Sequence, residues 1–189
     1  MATAAAVIFS IMTLIRLVPA LNGRGSWPLL LVHALMAAVL WIMVPAVYLP
    51  VDQALGGRNV LNLLQHSFIT SVMFGALGTA VARGGIHRPE LSRRIWHGWG
   101  LVLFVVGVGG VIVSFFCIDA PYSAMGMNPF LDQEATGFYK GFTFVYPAYV
   151  CGALIGPTVK KARQTREALA RRSLDGMAVG SAARIGDSC

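Results

Sequence analysis

Charge is scarce in this sequence. Asp, Glu, Lys and Arg make up only 12 % of its 189 residues, about half the usual soluble share. Apolar side chains make up 56 %, and the mean hydropathy is +0.67. A chain of this kind cannot clothe a core in a polar surface, so an ordinary soluble domain is excluded. Acids are scarcer still, 8 against 15 Lys and Arg. The bases fall in short segments between apolar runs, a pattern of membrane topology rather than of nucleic-acid binding. The three cysteines, Cys117, Cys151 and Cys189, form no CxxC motif and no metal-ligand ladder. Phosphate-binding glycine loops, HExxH and GxSxG are all missing. With only short segments outside the apolar runs, no soluble enzyme domain, no catalytic residue and no metal site is expected. No base precedes the first apolar run, ATAAAVIFSIMTLI, and Arg16 follows it. That order is the reverse of a cleavable signal.

What is present is a succession of apolar runs near the length of about 20 residues that crosses a bilayer. They predict an all-α integral membrane bundle of about five spans. The first covers residues 2–15, with extension to 21 left open, and Pro19, Asn22 and Gly23 mark a turn. The second covers 27–49 and is bent by Pro45. A short polar loop, VDQALGGRN, follows. The third covers 61–81, where Gly75 and Gly78 offer close helix approach. The fourth covers 96–116, with Gly107, Gly109 and Gly110 inside it. The fifth covers 138–159 and is interrupted by Pro147 and Pro157.

Arg16 and Arg24 occupy the first connection, Arg83, Arg88, Arg93 and Arg94 the third, and a basic run follows the fifth span. The connection at 117–137 holds Asp119, Asp132 and Glu134 and no base. The excess of Lys and Arg on cytoplasmic segments then puts the N-terminus outside and the C-terminus inside. Residues 1–159 form the transmembrane bundle and 160–189 a basic cytoplasmic tail. The expected location is the cell membrane, multi-pass. The expected partners are anionic lipids near the tail, at about 1 kcal/mol per base close to the surface, and a membrane or cytoplasmic protein, but no nucleic acid.

Histidines and a polar patch are the candidate sites. His33 and His97 both fall toward the cytoplasmic side and are candidate axial ligands of a haem. The ordinary reading, a polar side chain bonded near a helix end, outweighs that one, and no cofactor is expected. Gln65, His66 and Thr70 partly share a helical face that opens outward. Tyr146 and Tyr149, in the aromatic half of the fifth span, complete a possible ligand pocket. Pro147 adds a freed backbone carbonyl.

The run VPAVYLPVDQALGGRNVLNLLQHSF, with Asp52, Asn59, Asn62, Leu63 and His66, resembles the N-terminal membrane region of actinobacterial multipass proteins described as transporters. The likeness is diffuse, extends over roughly residues 2–172 and carries over no catalytic residue. Members of that kind are longer. The resemblance implies a multipass bundle and a transport role. The residues themselves favour a non-enzymatic accessory or signalling component. A small-solute or lipid transporter and a haem-binding redox protein are the alternatives.

Overall fold

The computed structural model describes residues 2–119, 122 and 127–186, with Asn128 and everything beyond 167 described by backbone alone. The described chain is an all-α bundle: α1 (Ala2–Leu21), α2 (Trp27–Ile42), α3 (Pro45–Ala54), α4 (Val60–Leu64), α5 (Thr70–Ala80), α6 (Pro89–Trp96), α7 (Trp99–Phe116) and α8 (Glu134–Gly186). Two π-turns, Gln65–Ile69 and Val81–Gly85, join α4 and α5 into one helix from Val60 to Gly85. Four helices are long and apolar enough to cross a membrane, and α2 with α3 forms a broken fifth. The protein is a multipass helical membrane protein.

Helix α1 takes the longer of its two expected ends. Pro19 lies inside it, and the Pro19 carbonyl accepts the Arg24 N–H at 2.9 Å, closing the turn only after Leu21. At 20 residues it spans about 30 Å, at 1.5 Å per residue.

The second span departs from a simple bend. Pro45 disfavours helical geometry in the residue before it, and Val44 is extended at φ −84°, ψ 119°. The chain therefore breaks, and α3 leaves α2 at 86°. Pro45 then opens α3 from a first-turn position, where its missing N–H costs nothing. The expected polar loop is partly helix, because α3 continues to Ala54 and buries Asp52 completely. The chain turns after it through Gly56 and Gly57, at φ +108° and +66°.

The fourth span also starts later than expected. Trp96 ends α6, and Gly98, at φ +58°, turns the chain into α7 at Trp99. The Arg-rich connection is therefore a short packed helix, with Pro89 at its first turn. Pro147 and Pro157 lie within α8, which runs through both and on to Gly186.

Packing follows the order α1, α2, α5, α8, α7, with α6 against α5, α7 and α8. In lipid the hydrophobic effect does not draw helices together, so close fit and interhelical hydrogen bonds must. Glycines supply the fit. A Cβ on Gly75 would sit 2.5 Å from the Trp96 ring, and one on Gly78 2.7 Å from Ile95 and Val150. A Cβ on Gly110 would overlap the Phe142 ring, whereas one on Gly109 would meet nothing within 4 Å.

The turns sort charge. Arg24, Arg83, Arg88, Arg93, Arg94 and Lys160 onward fall at one end, here the basic end. Asp52, Asp119, Asp132 and Glu134 fall at the other, the acidic end, with Arg58 among them, while Glu90 lies at the basic end and pairs with Arg88.

Candidate functional site

At the acidic end, Asp52 fixes the start of the long central helix. Its two carboxylate oxygens accept the N–H groups of Asn59 at 2.9 Å and Leu61 at 3.0 Å. These are donors that the first turn of α4 cannot satisfy internally, and a negative charge suits a helix N-terminus. Asn59 sits in the left-handed region at φ 59°, and its side-chain oxygen accepts the Tyr48 hydroxyl at 2.9 Å. Tyr48, Asp52, Asn59 and Asn62 are all buried. Helix α3 thus lies across this end and holds the start of the helix that carries Asn62 and His66.

The first π-turn follows directly. The Thr70 N–H and hydroxyl both donate to the Gln65 carbonyl, the hydroxyl at 2.7 Å. Ser67 donates to the Leu63 carbonyl at 2.6 Å. Such single widened turns recur at functional positions. Here the turn carries His66, whose ring meets Tyr139 of α8 edge-on at 5.9 Å. The Tyr139 hydroxyl donates to the Asn62 carbonyl at 3.0 Å.

Between these elements lies a cavity of about 380 Å³, lined by Asn62, His66, Met127, Tyr139, Lys140, Thr143 and Phe144. Thr143 donates its hydroxyl to the Tyr139 carbonyl at 3.0 Å. The side-chain nitrogen of Asn62 has no hydrogen-bond partner, and the residue is only 3 % exposed. Among the described residues it is the one buried side-chain polar atom left unpaired. A larger hollow of about 500 Å³ lies beside Arg58 and Phe116, and another of about 550 Å³ lies between Val81 and Arg166. Neither holds a stranded donor.

The structure divides the candidate pocket set. Gln65, His66 and Thr70 stay together at the π-turn. The turn brings residues five apart into register, so Gln65 and Thr70 bond each other. Tyr146 and Tyr149 belong elsewhere, since they donate to the carbonyls of Ile95 at 3.1 Å and Arg94 at 3.2 Å, in the last turn of α6. Trp96 completes that anchor by donating its indole N–H to Thr79 at 2.8 Å.

His33 and His97 do not converge either. His33 is buried against Phe9 of α1, with ring centroids 6.0 Å apart. His97 is exposed where α6 ends. Each Nδ1 bonds a carbonyl four residues earlier, Leu29 at 2.6 Å and Arg93 at 3.1 Å. A carbonyl only accepts, so both Nδ1 atoms carry the proton. Among the described residues no cluster of three His, Cys, Asp or Glu side chains could hold a metal ion.

Lys140 and Thr143 escape a reading of the sequence alone. A lysine inside an apolar aromatic run, FYKGFTF, is the available signal, because ionisable groups within spans are costly and tend to mark function. The chain matches no family model, no curated protein and no solved structure.

Proposed function

We propose that this protein is a non-enzymatic accessory or signalling component of the cell membrane, which senses a ligand at its outer end and reports through its cytoplasmic helix. The observation that carries this reading is the continuity of α8. One 53-residue helix lines the cavity with Tyr139, Lys140, Thr143 and Phe144 and ends as the basic extension. From Lys160 to Gly186 the extension projects about 40 Å, at 1.5 Å per residue, and its residues from Lys160 to Glu167 are exposed. The Arg-rich segments face the cytoplasm in this reading, and the N-terminus lies outside. Bases on the extension are suited to anionic lipid or to an acidic face of a cytoplasmic protein.

Binding rather than transport is supported by what lies below the cavity. Tyr146 is 0 % exposed and Val150 1 %, and Trp96 and Phe104 pack against the Tyr146 ring at centroid distances of 6.3 and 5.3 Å. This aromatic plug separates the cavity from the basic end. A transporter, the role implied by the resemblance, needs a state in which the plug parts.

Thiol accessibility distinguishes the two. A single His66→Cys thiol in a background with Cys117, Cys151 and Cys189 replaced by Ser is expected to react with a membrane-impermeant maleimide from the outer face only. Reaction from the cytoplasmic face, with or without solute, would establish alternating access and overturn the reading.

A further inference from the structure

We infer that the cavity between α4, its π-turn and α8 takes the headgroup of an amphiphile that presents oxygen acceptors, a carboxylate or a quinone-type carbonyl. This rests on the reading of the cavity as a ligand site and names the class of ligand.

Donors decide the chemistry. The Asn62 amide nitrogen carries two N–H groups, is buried and has no partner. A stranded buried donor costs about 1–3 kcal/mol, a penalty that a bound acceptor removes. Lys140 lines the facing wall, and His66 stands on the same side as Asn62. The hydroxyls of Tyr139 and Thr143 already donate to backbone carbonyls. Among the described residues no Asp or Glu lines the cavity. An oxygen acceptor therefore meets the stranded Asn62 donor, whereas a quaternary ammonium headgroup offers that donor nothing to bond.

Shape decides the rest of the molecule. About 380 Å³ is at the small end of ligand sites, enough for a headgroup and a few carbons. Met127 is buried at the rim, but Phe144 is 66 % exposed on the lipid-facing surface of α8. The cavity thus opens sideways past an aromatic ring, the route for an apolar tail. Depth agrees: Lys140 lies six residues into α8 from Glu134, about 9 Å along the axis, near the level of lipid headgroups.

The test uses the full chain in nanodiscs of zwitterionic lipid, titrated with decanoate, a decyl-substituted benzoquinone and decyltrimethylammonium. Saturable binding of either acceptor, with the ammonium at least tenfold weaker, is expected. Decanoate ahead of the quinone identifies an anionic headgroup, and the reverse order a neutral carbonyl. Equal binding of the ammonium, or no binding of either acceptor, would overturn the inference.

Asn62→Leu separates a ligand contact from a structural amide. It is expected to weaken the preferred probe about tenfold while raising the thermal midpoint of the unliganded protein, because the stranded donor is gone. Unchanged affinity, or a lowered midpoint, would remove Asn62 from the site. One-sided thiol access with the wrong ligand preference defeats this inference alone. Two-sided access defeats the sensing reading whatever the probe.

Discussion

Asp52 ties together backbone groups seven and nine residues further along the chain. A carboxylate bonded to two helix N-terminal donors combines a cap with a charge–dipole contact, together worth about 2 kcal/mol. Asp52→Ala is expected to lower unfolding stability in mild detergent by about that amount, and Asp52→Asn by roughly half, since the amide keeps one acceptor oxygen. Circular dichroism during denaturant titration measures both. Loss of the cap also loosens Asn62, so Asp52→Ala should weaken ligand binding as well.

The same residue shows how far the sequence can be read. Asp52 stands in VDQALGGRN, which has the composition of a solvated loop, and nothing local reveals that its carboxylate is buried. The missing information is the 86° turn before α3, which folds the segment back over the bundle. His66 was legible as a polar residue in an apolar span. Lys140 was less so, because the residues that line the cavity opposite it, Asn62 and His66, stand more than seventy residues earlier.

At the scale of the element, the packing of α6 rests on glycine notches and four side-chain hydrogen bonds. Gly75→Ala places a methyl 2.5 Å from the Trp96 ring and 2.8 Å from the Tyr146 hydroxyl. Overpacking of this kind costs about 1–3 kcal/mol. The variant is expected to displace α6, seen as faster trypsin cleavage after Arg93 and Arg94 and as a red shift in tryptophan emission. Gly109→Ala, with nothing within 4 Å of the added atom, is the matched control and should change neither signal.

Small residues in the third and fourth spans announced close approach, and Gly75, Gly78, Gly107 and Gly110 provide it. The role of Tyr146 and Tyr149 was hidden. Their spacing marks a helix face but does not say what the face meets, and α6 lies in a segment whose charge suggests only a loop. Prolines divided in the same way. Pro45 breaks a helix, with Val44 extended before it, while Pro147 and Pro157 lie within α8.

For the whole molecule, a multipass bundle of four long apolar helices and a broken pair was legible because it depends on the length and hydropathy of each run, both local quantities. Neither the order of helix contacts nor the cavity follows from such quantities. The central claim concerns that larger scale: occupancy at the acidic end moves the basic extension through α8. A ligand shifts a conformational equilibrium only by its difference in affinity for two states. The donor stranded at Asn62 makes such a difference available.

The most direct measurement is a pair of spin labels at Arg83→Cys and Arg163→Cys, in the background with the three native cysteines replaced by Ser, read by pulsed electron resonance. The distance distribution is expected to shift on saturation with the preferred acceptor amphiphile and to stay unchanged when Asn62 is Leu. An unaltered distribution in the fully liganded protein would contradict it and leave the cavity as a binding site without a signal.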